Sequence, residues 1–180
     1  YMPLQAKGAV FSARVVPRAD GDTAFADMSA AWDALDSGTR QKLARLSAHH
    51  SLAHSQKLLC EQTKETDSEY IGYGLDVDEV PLRPLLKIHP ETNRPSLAVG
   101  RHAYGIPGME EEESARLLAG LIDFAVSDER RVYQHHWTAG DVLVWDNRCL
   151  MHRACSWNYE EPRVMLHSRI AGDSRSESAS

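Results

Sequence analysis

A histidine and an arginine near the C-terminal end of the sequence have the spacing to share one wall of a pocket. His152 closes the segment 140–152, and Arg163 opens the segment 163–173. Apolar and polar residues alternate in both segments, which predicts two strands joined in a hairpin. A neutral imidazole binds metal ions, and a guanidinium holds a carboxylate through two parallel hydrogen bonds. The pair therefore predicts a pocket that binds a metal and an anion.

The second segment carries further basic side chains at every other position. Its alternating residues are expected on one face of a strand: Arg163, Met165, His167 and Arg169. Three basic groups would be costly to desolvate in a dry core. Two interpretations remain open, because this face is either the solvated outside of the protein or the lining of an anion-binding pocket.

A second metal-binding pattern lies in the middle of the chain. His89-Pro90-Glu91, with His152 downstream, has the form His-x-Glu plus a distant His, which is typical of the facial triad that holds non-haem Fe(II). A metal hydrolase built on His89, Glu91 and His152 is therefore one hypothesis. The motif also lies at a strand-to-turn junction beside two prolines, where a polar turn needs no metal to explain it.

Length and composition limit the classes of protein that the chain can represent. With 180 residues, 42% of them hydrophobic, the chain is long enough for one domain with a core. The formal net charge is −6 and no block of Lys and Arg occurs, which argues against nucleic acid and anionic membranes as partners. No apolar run reaches the ~20 residues of a membrane helix. We expect a small-molecule partner, and a homo-oligomer stays open.

The cysteines bear on the expected compartment. Cys60, Cys149 and Cys155 are odd in number and form no Cys-x-x-Cys pair, which argues against a disulfide framework or a zinc knuckle. No secretory signal is recognised in the sequence. Both observations fit a reducing compartment, and we expect a cytoplasmic protein.

Short strands and a few helices have to position the candidate residues. Besides the two segments above, the pattern predicts strands at 8–16, 23–25, 84–89, 96–100 and 132–137. Helices are predicted at 27–35, with Asp27 as the N-cap, at 39–48 and at 110–127. Many short strands with helical inserts favour a mainly β fold with flanking helices, an antiparallel sandwich or barrel of the jelly-roll type.

Two segments lack a pattern of buried residues. Residues 58–80 are mostly polar, and a loop this long in a compact domain is usually functional or disordered. We interpret it either as a mobile lid or as a solvated insertion. Residues 174–180 are expected to form a frayed polar tail, so that residues 1–173 make up a single domain.

Three motifs occur in order along nearly the whole chain. The first is Trp145-Asp146-Asn147-Arg148 followed by His152, Arg163 and Ile170-Ala171-Gly172-Asp173. The second is Gly21-Asp22-Thr23 before a helix with Trp32 and Leu35, and the third is 84–100 with His89-Pro90 and Thr92. Together they resemble the taurine dioxygenase and dichlorophenoxyacetate dioxygenase family of α-ketoglutarate-dependent, non-haem Fe(II) oxygenases. The resemblance implies a double-stranded β-helix, a cupin-like jelly roll.

The resemblance also implies roles for individual residues. His152 would be the distal histidine ligand of Fe(II), and Trp145 would pack in the wall behind the metal. Arg163, helped by the hydroxyl of Thr23, would bind the far carboxylate of α-ketoglutarate. The implied reaction uses α-ketoglutarate and O2, hydroxylates an unactivated C–H bond of a small, acidic organic substrate, and releases succinate and CO2.

Two departures from the family pattern concern the metal and the substrate. The family's His-x-Asp motif is expected just upstream of Tyr1, so we interpret the chain as the C-terminal two-thirds of an enzyme, with one of three iron ligands. The alternative is a catalytically incomplete β-barrel fragment or a small-acid-binding protein.

The second departure concerns the substrate. His167 stands where taurine-oxidising members carry an arginine for the sulfonate, which argues against taurine. Arg169, on the same face, is a candidate for the substitute charge. His89 falls in the family's hairpin segment, which counts against a metal role for it.

Overall fold

The computed structural model of the chain describes residues 2–63 and 80–179, which form short antiparallel strands and four α-helices. In chain order the elements are β1 Gly8–Val15, β2 Thr23–Asp27, α1 Met28–Ala34, α2 Ser37–Leu43, β3 Ser47–His50, α3 Leu52–Thr63, β4 Leu82–Pro84, β5 Leu86–Ile88, β6 Pro95–Leu97, β7 Ala103–Tyr104, α4 Glu111–Val126, β8 Val132–His135, β9 Val142–Asp146, β10 Leu150–Ala154 and β11 Val164–Ile170. Among the helices described, none combines the length and the apolar character needed to cross a membrane.

Two three-stranded antiparallel sheets form the centre of the fold. One sheet has the strand order β11-β1-β9, and the other has the order β10-β2-β8. In each sheet an N-terminal strand lies between two C-terminal strands, a non-sequential order that suits a jelly roll. A third sheet, β4-β3-β7, and the hairpin β5-β6 complete the described strands. The architecture agrees with the predicted mainly β class with flanking helices.

Two hydrophobic clusters hold these layers together. The larger one joins α1 and α4 to the small strands, with Trp32, Leu97 and Leu118 among its buried residues. The smaller one contains Ala9, Phe25 and Trp145, and Phe11, Leu143 and Leu150 pack against it. Because β1 and β9 belong to one central sheet and β2 to the other, this aromatic cluster shows that the two sheets face each other.

Local sequence signals locate several elements correctly. The Asp27 carboxylate accepts hydrogen bonds from the backbone N–H groups of Ser29 and Ala30, both at 2.9 Å, and caps α1 as predicted. β1 lies within the predicted range 8–16, and α4 lies within the predicted range 110–127. These elements depend on contacts between near neighbours in the chain, which a sequence pattern reports directly.

Several other predictions of local structure are wrong. The helix predicted at 39–48 ends at Leu43, and residues 47–50 form β3. The segment 140–152 is two strands, β9 and β10, separated by a turn. The loop predicted at 58–80 begins inside a helix, because α3 continues to Thr63. The remainder of that loop, 64–79, lies outside the described residues, so the lid stays a prediction.

The predicted hairpin between the strands of His152 and Arg163 does not form. β10, which carries His152, pairs with β2, whereas β11, which follows Arg163, pairs with β1. The two strands therefore belong to different sheets. His152 and Arg163 are therefore not side by side on the two strands of one hairpin.

Residues 174–179 are packed against the body of the protein rather than frayed. The Glu177 side chain is fully buried, and its carboxylate lies 3.8 Å from the Lys87 Nζ. The Glu177 carbonyl accepts hydrogen bonds from the backbone N–H of Gln5 and from the Arg83 Nη1. One polar residue of this segment, Glu177, thus forms a buried ion pair, which periodicity does not reveal. The single domain at 1–173 stays a prediction.

Candidate functional site

The two central sheets enclose a space lined by aromatic rings. On β9, Trp145 meets Phe11 of β1 edge-on at 4.9 Å between ring centroids, and Phe25 of β2 at 5.4 Å. Such edge-to-face spacing is typical of stable aromatic packing. The indole Nε1 of Trp145 donates to the Asn147 Oδ1 at 2.8 Å, which fixes the ring. Trp145 therefore packs between the two sheets, and its role behind a metal stays a prediction.

His152 enters this space from the second sheet. It lies directly opposite Phe25 across the β10-β2 pair, and its ring centroid is 4.8 Å from that of Trp145. Part of its side chain remains exposed to solvent. Desolvation by partial burial is the larger cause that lowers the pKa of His152, and electrostatic repulsion from His167 is the smaller one. The imidazole is therefore neutral at neutral pH. Within the described ranges the ring has no hydrogen-bond partner, which leaves a nitrogen available to a metal.

The face of β11 that carries the alternating basic residues points into the same space. His167 lies opposite Phe11 in the β11-β1 strand pair. Its ring lies parallel to that of Trp145, at 6.3 Å between centroids. Arg169 pairs with Ala9, which belongs to the same inner face of β1. The opposite face of the strand is apolar and exposed, as Leu166 shows. Of the two interpretations left open by the sequence, the structure therefore supports the pocket lining.

His167 differs from an arginine in its charge as well as its length. Burial, and then the positive charge of Arg169, lower the pKa of His167. At neutral pH the imidazole is therefore uncharged, and it offers one N–H donor and one acceptor nitrogen. The charge on this face comes from Arg169, which is exposed.

Arg163 lies just before β11, where the turn after β1 meets the loop that follows β10. Its Nε donates to the Gly21 carbonyl at 3.0 Å, and its guanidinium carbon lies 5.1 Å from the ring centroid of Trp157. Its Nη2 is buried and, in the part of the chain described, has no hydrogen-bond partner. Burial lowers the pKa of Arg163, but a guanidinium remains charged in proteins. A buried charged donor without an acceptor is costly, and a carboxylate would satisfy it.

Glycine is required at position 21 for this arrangement. Gly21 has a φ of +73°, in the left-handed region that side chains rarely adopt. A Cβ there would lie 2.9 Å from Pro17 and 3.4 Å from the Nε of Arg163. The absence of a side chain lets the guanidinium approach the backbone, and brings Arg163 close to the start of β2.

Thr23 opens β2, two residues after Gly21, and its side chain is buried at 1% exposure. The indole Nε1 of Trp137 donates to the Thr23 Oγ1 at 2.9 Å. Because the oxygen already accepts this bond, the hydroxyl proton is left to donate to another group. Gly21 therefore brings two donors to one region, the Thr23 hydroxyl and the guanidinium of Arg163.

Sequence reasoning missed the two tryptophans that hold these donors. The sequence pattern predicts Trp137 only as the end of a strand and indicates no role for Trp157. Trp137 bonds Thr23 across 114 residues of chain, and Trp157 contacts Arg163 from an irregular loop. In the sequence, each of them is recognisable only as a tryptophan outside any periodic apolar pattern. Such a residue gives no indication of which side chain it contacts.

The second metal pattern of the sequence does not assemble. The His89 Nδ1 accepts from two backbone N–H groups, and its Nε2 contacts the Asp146 Oδ2 at 3.1 Å. Glu91 instead pairs with Arg148 at 3.0 Å. In the described ranges, the group with converging ligand atoms is His89, Asp146 and Cys149, without Glu91 or His152. The metal hydrolase hypothesis therefore has no support in the structure.

The group around Asp146 is a salt-bridge network rather than a metal site. Both oxygens of the Asp146 carboxylate accept hydrogen bonds from Arg148, at 2.6–3.0 Å. Burial opposes ionisation of this carboxyl, but the hydrogen bonds from Arg148 and His89 prevail and lower the pKa of Asp146 to about 2. A fixed guanidinium on the carboxylate excludes a cation, so the network stabilises the turn between β9 and β10.

The chain matches the family model "Taurine catabolism dioxygenase TauD, TfdA family" over residues 1–169. It therefore belongs to this family, as the three motifs suggested. The chain is similar to an (S)-phenoxypropionate/alpha-ketoglutarate-dioxygenase of Sphingobium herbicidovorans, 59% identical over 99% of this chain and 62% of the relative. It is also similar to an alpha-ketoglutarate-dependent 2,4-dichlorophenoxyacetate dioxygenase of Cupriavidus pinatubonensis, 34% identical over 93% of this chain and 56% of the relative.

A solved structure confirms the predicted jelly-roll class. AAD-2 in complex with Mn(II) and N-oxalylglycine superposes with a TM-score of 0.83 at 36% identity, over 94% of this chain and 65% of that one. The chain thus spans somewhat less than two thirds of the length of the proteins it matches.

Proposed function

We propose that the intact protein is an Fe(II)- and α-ketoglutarate-dependent dioxygenase that hydroxylates a small aryloxy carboxylic acid. The observation that carries the proposal is the buried Nη2 of Arg163, which has no hydrogen-bond partner among the described residues. Arg163 is anchored at Gly21, two residues before Thr23. These donors suit a carboxylate. The substrate class is supported by the 59% identity to a relative named as a phenoxypropionate dioxygenase.

His152 is the residue of this chain that fits an iron ligand, because it is neutral at neutral pH and a ring nitrogen is available. When bound, Fe(II) with α-ketoglutarate and O2 supplies the oxidation of a C–H bond to an alcohol, with release of succinate and CO2. A facial site needs two further protein ligands. We assign these to the part of the relatives that this chain does not match.

The chain's own residues bind and orient the cosubstrate. Arg163 and Thr23 donate to its distal carboxylate, and Trp137 orients the Thr23 hydroxyl for that bond. Trp145, whose ring contacts those of His152 and Phe11, forms a wall that limits the access of water. Each of these groups is already in place, so little ordering is needed when the cosubstrate binds.

The substrate would bind along the inner face of β11. His167, neutral at neutral pH, offers a hydrogen bond to a substrate oxygen, and Arg169 on the same face provides the positive charge for a carboxylate. The aromatic rings of Phe11 and Trp145 beside His167 suit an aryl group. A carboxylate fits this shorter, uncharged histidine better than a sulfonate that needs an arginine in its place.

The test is succinate formation by the full-length protein with Fe(II), α-ketoglutarate and (S)-2-phenoxypropionate. Hydroxylation of the carbon that bears the aryloxy group gives a hemiketal, which breaks down to phenol and pyruvate, so phenol should form in step with succinate. His152→Ala should abolish both products, while Arg116→Ala, on the exposed face of α4, should leave them unchanged. If the wild-type protein forms no succinate, even without substrate, the proposal fails.

The second candidate is a catalytically incomplete, small-acid-binding protein. It is favoured by the observation that, among the described residues, His152 is the one proposed iron ligand beside Trp145. Binding of N-oxalylglycine without any succinate production would support it over the dioxygenase. A cytoplasmic location and a homo-oligomer stay proposals as well, the former on the odd cysteine count.

A further inference from the structure

Trp157 covers one face of the Arg163 guanidinium from the loop between β10 and β11. The guanidinium carbon lies 5.1 Å from the centroid of the Trp157 ring, within the range of a cation–π contact. The ring of Tyr159 packs against Trp157 at 4.5 Å between centroids. Because Arg163 is held on one side by this ring, its plane has little freedom to rotate.

The loop that carries Trp157 is fixed at the same glycine that anchors Arg163. The backbone N–H of Gly21 donates to the Ser156 carbonyl at 3.1 Å, and the Cys155 N–H donates to the Asp22 carbonyl at 2.9 Å. The Gly21 carbonyl in turn accepts from the Arg163 Nε. One backbone position therefore sets both the guanidinium and the indole ring that faces it.

Two neighbouring buried donors in this group lack an acceptor. In the described part of the chain, the Nε1 of Trp157 and the Nη2 of Arg163 are both buried without a hydrogen-bond partner. An indole N–H only donates, and a guanidinium only donates, so neither can satisfy the other. Each such buried group is costly when it is left unpaired. A carboxylate suits both, because it offers two acceptor oxygens and a negative charge for the guanidinium.

We propose that Trp157 belongs to the carboxylate site for the cosubstrate: its ring positions the guanidinium of Arg163, and its indole N–H donates to the same carboxylate. The inference rests on the proposed function, because the carboxylate is that of α-ketoglutarate. Nothing in the three family motifs includes this tryptophan. It adds a third donor, beside Arg163 and Thr23, from a loop that is irregular in structure.

The test compares two substitutions in the full-length protein with Mn(II) and N-oxalylglycine as the probe. Trp157→Phe keeps the ring and removes the N–H, and should raise the Kd for N-oxalylglycine roughly tenfold. Trp157→Leu removes both and should raise it by roughly a further threefold. The KM for α-ketoglutarate should follow the Kd, while kcat stays unchanged. Tyr159→Phe, which keeps the packing ring, is the control and should leave Kd and KM as in the wild type.

A second measurement reports on the donor directly. With diamagnetic Zn(II) in place of Mn(II), the indole ¹⁵N–¹H resonance of Trp157, assigned by its absence from the Trp157→Phe spectrum, should shift when N-oxalylglycine is added, as expected for a new hydrogen bond. An unshifted resonance, or a Trp157→Phe protein that is folded and binds N-oxalylglycine as tightly as the wild type, overturns the inference while the proposed function stands. A wild-type protein that neither binds the probe nor forms succinate overturns both.

Discussion

Replacement of Arg163 by alanine tests the arrangement at the junction of β1, β2 and β11. The substitution removes the guanidinium that lies between the Gly21 carbonyl and the ring of Trp157, and with it the buried Nη2 donor. The Nε of Arg163 already donates to the Gly21 carbonyl, so the donors that remain for a ligand are on the terminal nitrogens. We expect Arg163→Ala to weaken the binding of α-ketoglutarate without changing the access of the substrate.

The magnitude follows from the loss of a charge-assisted hydrogen bond. Such bonds contribute about 1.5–3 kcal/mol, and tenfold in affinity corresponds to about 1.4 kcal/mol. The KM for α-ketoglutarate should therefore rise roughly 10- to 140-fold. Arg163→Lys keeps the positive charge but loses the two parallel N–H donors of the planar guanidinium, which one ammonium group cannot replace. Its KM should lie between those of the wild type and the alanine variant.

The assay is initial-rate succinate formation at varied α-ketoglutarate and saturating substrate. Arg116→Ala is the matched control, because it removes an arginine whose ion pair on α4 is exposed and distant in sequence from the site. The order of KM values should be wild type and Arg116→Ala, then Arg163→Lys, then Arg163→Ala. An Arg163→Ala enzyme with the wild-type KM would refute the role of this residue.

Substitutions at three further positions test other parts of the structure by urea denaturation. Thr23→Val leaves the Trp137 indole N–H buried without an acceptor and should cost about 1–3 kcal/mol, whereas Thr23→Ser should cost less. The folded-state pKa of Asp146, about 2, lies below the unfolded value of about 3.9, so its stabilising effect is present above pH 4 and is lost as the pH falls towards 2. Wild type and Asp146→Asn should therefore differ more at pH 5 than at pH 2, and an equal difference would contradict this. Glu177→Ala leaves Lys87 buried without its carboxylate and should cost about 3–5 kcal/mol, and a loss below about 1 kcal/mol would indicate a frayed tail.

Sequence reasoning works where the structure depends on near neighbours. The Asp27 cap, the helix that begins after Glu110 and the alternation on β11 each have a signal within a few residues. The inner-facing His167 follows from that alternation, since neighbouring side chains of a strand point to opposite faces. The motif around Trp145 gave the family, and through it the roles expected of His152 and Arg163.

The rest could not be predicted because it depends on partners far away in the sequence. A strand pattern does not reveal that β10 pairs with β2 and β11 with β1, so the hairpin prediction was wrong. The polar segment at the C-terminal end resembles a solvated tail until Lys87 is seen beside Glu177. The tryptophan that positions Arg163 lies in a loop with no periodicity, and only its contact identifies it.

The contacts that build the proposed carboxylate site also have a consequence for the order of folding. The hydrogen bond from Arg163 to Gly21 spans 142 residues, and the one from Trp137 to Thr23 spans 114. Contacts between residues this far apart in the sequence are expected to form late in folding, because the intervening chain must lose conformational entropy before they form. A nascent chain that ends before Arg163 cannot form the site, whatever local structure it has gained. Ligand binding is therefore a reporter of complete folding, and a bound ligand should stabilise the whole fold rather than one part of it.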